Sequence, residues 1–224
     1  GGGAGGDSRQ CRFYHGGAAA EDPALHCPHA GELGGGVCGE YCDAYCDRME
    51  ANCPESYADR DSCMTTCDTF STEGVEGDAG GNTLQCRFYH GGVAADDAEL
   101  HCPHAGPSGG GACGSYCEVY CAQMATTCGD NYESEAACLE ACAMLPDGGA
   151  AGDAGGDSVQ CRIYHSGLPA IGDAEVHCPH ASFSGGDDAG LVCVDDVSAG
   201  GSFARVGQDG YDNAFSLSVT ERAA

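Results

Sequence analysis

The clearest helical spacing in this chain belongs to cysteine. Cys42, Cys46, Met49 and Cys53 stand 4, 3 and 4 residues apart, which puts them on one face of an α-helix. Cys63, Cys67 and Phe70 follow at spacings of 4 and 3. The same arrangement returns as Cys117, Cys121, Met124 and Cys128, then Cys138, Cys142 and Leu145. Gly39 and Gly114 precede the first helix of each pair, and Pro146 closes the last. Two helical hairpins are predicted, with cysteines where Leu or Ile would ordinarily face each other. Tyr41 with Tyr45, and Tyr116 with Tyr120, form i,i+4 pairs expected to pad a thin core. Residues 71–83 and 146–158 are rich in Gly, Asp and Ala without periodicity and read as flexible connectors. Alternation of Phe215, Leu217 and Val219 predicts one or two short strands in the tail.

The hairpins belong to a longer repeat. Gln10-Cys11-Arg12-Phe13-Tyr14-His15 recurs 75 residues on at Gln85–His90 and after another 75 at Gln160–His165. His26-Cys27-Pro28-His29-Ala30 recurs as His101–Ala105 and His177–Ala181. The first two repeats hold eight cysteines each and the third only Cys161, Cys178 and Cys193. The organisation expected is a Gly-rich arm at 1–8, repeats at 9–79 and 80–155, a truncated repeat at 156–199 and a tail at 200–224. The expected fold class is small, disulfide-rich and mainly α with much coil. It comprises tandem His/Cys loop blocks, each followed by a stapled helical hairpin, with short β structure in the tail.

Composition explains why cysteine takes the core positions. Leu, Ile, Val and Phe supply only 28 of 224 residues. Burial alone cannot offset the backbone entropy of such a chain, and 19 cysteines point to covalent stapling instead. An ordinary large-core enzyme fold is excluded, and no nucleophile motif, carboxylate pair or phosphate loop is visible, so no enzyme activity is expected. A net charge of -27 with no Lys argues against nucleic acid as a partner. No apolar run is long enough to span a bilayer. The cysteines favour an oxidising location: secreted, cell-surface or periplasmic, with a lipid-anchored precursor compatible with the Gly-rich start.

All nine histidines lie in the front blocks, three to a block: His15, His26, His29; His90, His101, His104; and His165, His177, His180. Three imidazoles fit a borderline cation, Cu²⁺ or Zn²⁺, about one per repeat. Asp22, Asp97 and Asp173, four residues before the middle histidine, are placed to accept a second imidazole N–H. Cys11 and Cys27, Cys86 and Cys102, Cys161 and Cys178 are expected as loop staples, thiolate ligands or attachment points for a cofactor. A bis-histidine haem, one per repeat, is the alternative cofactor, with Arg12, Arg87 and Arg162 as propionate partners or, more simply, ion-pair partners. The odd cysteine count of the third block leaves one thiol, with Cys193 the candidate for a free or intermolecular role.

The QCR[FI]YH and HCPHA motifs with the C-x3-C pairs resemble cysteine-rich repeats of uncharacterised secreted or lipoprotein-like bacterial proteins, which implies location and repeat architecture only. The hairpins resemble α-hairpinin-type units. That resemblance implies Cys42–Cys67 with Cys46–Cys63, and Cys117–Cys142 with Cys121–Cys138.

Two functions follow from this reading. One is an extracytoplasmic three-module metal- or haem-binding protein for electron transfer or metal handling, served by a redox partner protein. The other is a purely structural stapled spacer, or a subunit of a homo-oligomer or filament.

Overall fold

The computed structural model describes residues 4–129, 131–187 and 190–194. The expected tail strands around Phe215 lie outside them. The described chain is mainly helical, with one two-residue antiparallel pair, β1 (Gly186–Asp187) and β2 (Gly190–Leu191).

The front blocks are helical rather than looped. Each is a pair of short helices: α1 (Arg9–Ala18) with α2 (Pro23–Ala30), α5 (Leu84–Val93) with α6 (Ala98–Ala105), and α9 (Val159–Ser166) with α11 (Ala174–Ala181). The third block inserts one extra turn, α10 (Leu168–Gly172). Local capping makes these helices. The side chains of Ser8, Thr83 and Ser158 accept the amide N–H three residues on, so an orphan donor at the helix start is satisfied. Asp22, Asp97 and Asp173 do the same for the second helix, at 3.1, 3.2 and 3.3 Å. That corrects the expectation that these carboxylates orient imidazoles: they are helix caps.

The hairpins form as the cysteine stripe predicts. They are α3 (Tyr41–Asn52) with α4 (Arg60–Cys67), and α7 (Tyr116–Gln123) with α8 (Glu135–Cys142). A π-helical turn, Met124–Cys128, continues α7. Cys42–Cys67, Cys46–Cys63, Cys117–Cys142 and Cys121–Cys138 are the cross-links, the pairs implied by the hairpin resemblance.

The other bridges differ from expectation. Cys11 pairs with Cys38, Cys86 with Cys113 and Cys161 with Cys193. Cys102 pairs with Cys53 and Cys178 with Cys128. Cys11 therefore does not staple to Cys27, and Cys193 is neither free nor intermolecular. The unpaired thiol is Cys27, on the surface of the first block. The reason is a one-block stagger. Each described hairpin closes onto the histidine block that follows it, so the two hairpins serve the second and third blocks and neither serves the first. The nine bridges thus divide the cysteines into three closed sets, 11–38, 42–113 and 117–193.

Packing follows the same stagger. One core gathers Tyr45, Cys46, Met49 and Cys63 of the first hairpin with Leu84, Phe88 and Ala105 of the second block. The other gathers Val119, Tyr120, Met124 and Cys138 with Val159, Ile163 and Ala181. Tyr45 and Tyr120 are fully buried, so the i,i+4 tyrosines do pad the core, one member of each pair deeply.

Candidate metal centre

Helix geometry brings the three histidines of a block together. His15 lies one turn beyond Cys11 on α1, and the Cys11–Cys38 bridge fixes that face inward. His26 and His29 stand one turn apart on α2, which continues through Pro28. The result is a convergence of three Nδ1 atoms. His15 Nδ1 lies 2.8 Å from His26 Nδ1 and 3.4 Å from His29 Nδ1. In the second block His90 Nδ1 lies 3.0 Å from His101 Nδ1, and in the third His165 Nδ1 lies 3.0 Å from His177 Nδ1. Ring centroids within a block are 4.7–6.1 Å apart.

The tautomer of the first histidine is set by its other nitrogen. His15 Nε2 lies 3.0 Å from the Ala4 carbonyl, and His90 and His165 Nε2 lie 3.1 Å from the carbonyls of Ala79 and Ala154. A carbonyl only accepts, so Nε2 carries the hydrogen and the neutral ring turns its Nδ1 lone pair toward the other two histidines. A backbone carbonyl thus takes the orienting role expected of the aspartates. These carbonyls sit in Ala-Gly-Gly segments 11 residues before each first histidine. Two of those segments fall inside the supposed flexible connectors. The connectors are pinned: Leu84 N–H donates to Ser71, Val159 N–H to Pro146 and Gly156 N–H to Val192. The repetition of Ala-Gly-Gly at the 75-residue period was the signal in the sequence for this contact.

Glycine closes the back of the site. Gly35 (φ 58°) and Gly110 (φ 53°) lie in short 3-10 turns. A β-carbon on either would come within 2.8 Å of Cδ2 of His29 or His104. Both conformation and contact therefore require glycine there.

Burial favours the neutral form of one imidazole in each block. His29, His104 and His165 are pushed below the ordinary histidine range, first by burial and then, for His29 and His104, by their two neighbouring histidines. For His165 the neighbours act in the same direction and the Ala154 hydrogen bond opposes them. His104 Nδ1 and His180 Nδ1 are buried without a hydrogen-bond partner, an arrangement that carries a desolvation cost unless something is bound. Three imidazole nitrogens gathered in this way fit a borderline transition metal. Nitrogens bound to Zn²⁺ at about 2.0–2.1 Å in a tetrahedron lie roughly 3.3 Å from one another, close to the His15–His29 spacing.

The haem alternative fits less well. Axial imidazoles oppose each other across a porphyrin, whereas these nitrogens meet at one point. Covalent attachment through Cys11 with Cys27, or their counterparts, is ruled out because Cys11, Cys86 and Cys161 are in disulfides, as are Cys102 and Cys178. For the same reason five of the six cysteines named as thiol ligands have no thiolate to offer, and the sixth, Cys27, is exposed. The arginines hold the second helix onto the first. Arg12 donates to the carbonyls of Gly31 and Glu32, Arg87 to Gly106 and Pro107, and Arg162 to Ser182 and Phe183. Arg12 also pairs with Asp7 and Arg162 with Asp157, while Arg87 lies over the Phe70 ring.

Comparison with known proteins places this architecture. Residues 40–116 and 114–196 each match the BfoA family C-terminal domain. The chain belongs to the BfoA family. The two BfoA matches begin just before a hairpin and run through the following histidine block, the frame in which the bridges close at 42–113 and 117–193. A curated BfoA relative is "Bifonsecin B biosynthesis cluster protein A" of Aspergillus brasiliensis, 38% identical over 71 residues. That stretch is 32% of this chain and 23% of the relative, so the chain spans just under a quarter of its length. This relative is fungal, not a bacterial lipoprotein-like protein as the sequence motifs suggested. No solved structure matches.

Proposed function

We propose that each histidine block holds one borderline transition-metal ion, Cu²⁺ or Zn²⁺, and that the chain works as a three-site metal-handling or electron-transfer protein outside the cytosol. The convergence of three Nδ1 atoms in the first block, with the His15 lone pair fixed by the Ala4 carbonyl, carries this reading. The second and third blocks repeat the held histidine and its short contact. The unpartnered Nδ1 atoms of His104 and His180 support it independently. His15 and its counterparts, with the two histidines of the second helix, would be the protein ligands. A bound ion there would supply Lewis acidity or, for copper, a one-electron couple. The residues' own part is to gather three imidazoles and to fix one of them in register. The reading is of a binding protein and not of an enzyme. Nine disulfides support an oxidising compartment.

The test is titration of chelator-treated, disulfide-intact protein with Cu²⁺ and with Zn²⁺, read by calorimetry and elemental analysis. About three equivalents are expected, falling to about two in a His101→Ala, His104→Ala chain. Absence of uptake by the intact protein would overturn the proposal. A reversible copper couple selects electron transfer, and zinc uptake without one selects metal handling.

A second reading has its own observation. His15–His26, His90–His101 and His165–His177 are already at hydrogen-bonding distance. They tie the first helix of each block to the second, so a stapled spacer would use them without any ion.

A further inference from the structure

The same interface is built twice within this chain, and a third copy of its receiving face stands uncovered. In the first interface Cys53 bonds Cys102, the Tyr45 hydroxyl donates to the Ala105 carbonyl at 2.7 Å, and Asn52 donates to the Gly91 carbonyl at 2.8 Å. In the second, Cys128 bonds Cys178, Tyr120 donates to Ala181 at 2.8 Å, and Thr127 donates to Ser166 at 2.6 Å. A long polar side chain completes each. Arg48 lies over the Phe88 ring at 3.5 Å, and Gln123 accepts from the Ser166 hydroxyl at 2.9 Å.

The counterparts in the first block are Cys27, the carbonyls of Ala30 and Gly16, and the Phe13 ring. The block is assembled as in the other two, with His15 as buried as His90 and His165. Its outer face is not covered. Phe13 is 86% exposed where Phe88 and Ile163 are each 4% exposed. Cys27 is free and exposed where Cys102 and Cys178 are bridged. A methyl added at Gly91 would sit 3.3 Å from Met49 Sδ, whereas one at Gly16 would meet nothing nearer than Ala30 at 4.0 Å. The two hairpins among the described residues are already committed, since Cys53 and Cys128 are both bonded to later blocks.

We propose that the α1–α2 face of the first block docks a further stapled helical hairpin of this same type, and that Cys27 locks it by a disulfide to the cysteine ending the hairpin's first helix. The repeated interface specifies the partner. It needs that terminal cysteine, a tyrosine eight residues before it to reach the Ala30 carbonyl, a donor immediately before it for the Gly16 carbonyl, and an Arg or Gln five residues before it to cover Phe13. The bond forms by exchange. The partner's cysteine arrives as a mixed disulfide with a small thiol such as glutathione. The Cys27 thiolate attacks the partner's Sγ, the new S–S bond forms, and the glutathione thiolate leaves and takes up the proton that Cys27 released, with no net change in oxidation.

Two experiments decide it. In the first, a second copy of residues 40–75 is joined directly before Gly1 of the full chain. This sets its terminal cysteine 49 residues ahead of Cys27, the separation of Cys53 from Cys102. Peptide mapping should find Cys27 bridged to the added cysteine and no free thiol. Amide exchange across Arg9–Ala18 should slow at least tenfold, and should stay slow in a Cys27→Ser version. An added hairpin that forms its own two staples while Cys27 alkylates at the native rate overturns the proposal. In the second, the chain is isolated from its natural source with thiols blocked at lysis. Expected is a Cys27-linked peptide with the hairpin pattern; a loss of mass on reduction places that hairpin on another polypeptide, and an unchanged mass places it on the same one. Cys27 recovered alkylated, capped by glutathione, or bridged to a peptide without the hairpin pattern overturns the proposal, whether or not the added hairpin folded.

Discussion

The Tyr45 hydroxyl donates to the Ala105 carbonyl, 60 residues further along the chain, and lies 2.7 Å from the Tyr57 hydroxyl. Because Tyr45 gives its hydrogen to a carbonyl, it accepts from Tyr57. Burial pushes Tyr57 up to about 12 and Tyr45 well above the ordinary tyrosine range, so both stay protonated donors. Tyr45→Phe leaves a buried carbonyl and a buried hydroxyl each without a partner. A loss of about 1–3 kcal/mol is expected in denaturant unfolding, with the disulfides intact. Tyr120→Phe should cost a similar amount through Ala181.

Gly110→Ala should act on the metal centre without touching a ligand. The residue sits at φ 53°, and its new β-carbon would press on His104 Cδ2. The backbone strain is about 1–3 kcal/mol. The displaced ring should weaken ion binding at the second block alone, by roughly 10–100-fold if it behaves like loss of an outer-shell partner. Competition titration against a chromophoric chelator would read one weakened site beside two unchanged ones.

Acid should loosen the blocks through histidine. His29, His104 and His165 lie below their ordinary value of 6.5 in the folded state. The unfolded chain therefore binds these protons first. Their contribution is fully present above pH 6.5 and is lost as pH falls from there through the lowered folded values. Thermal unfolding of metal-free protein across that range should show a decline that a His165→Gln chain shows less steeply. Ion uptake should fall in the same window, because protonation and metal compete for one lone pair.

Removing the bridge between hairpin and block tests the stagger. A Cys53→Ser, Cys102→Ser chain should lose about 2–4 kcal/mol, with unfolding of the second block's helices preceding that of the third. Residue-resolved amide exchange would show whether the two cores separate in this order.

The hairpins were legible because a 4-3-4 cysteine stripe is both a helical period and a record of what it faces. The histidine blocks were legible as chemistry but not as helices. Their first helices contain a Gly pair or end at Gly, and their second helices run through an internal proline. Few large apolar residues mark either one. The signal for them was the cap, Ser8, Thr83 or Ser158, three residues before a cysteine. Bridge partners outside the hairpins were not legible. A repeat read from its first motif suggests that each unit closes on itself, whereas Cys53 and Cys128 reach into the next block. Nor could Asp22 be told from an orienting carboxylate, since a residue four before a histidine is equally the residue that starts its helix.

The three closed disulfide sets bear on how the chain withstands proteases. A single cut anywhere between Cys42 and Cys113, or between Cys117 and Cys193, leaves both pieces joined by at least one bridge. Only the short strips between Cys38 and Cys42, and between Cys113 and Cys117, separate the sets by backbone alone. A molecule nicked once between Cys11 and Cys193 would therefore keep its mass on a non-reducing gel, except where one of those two strips is severed.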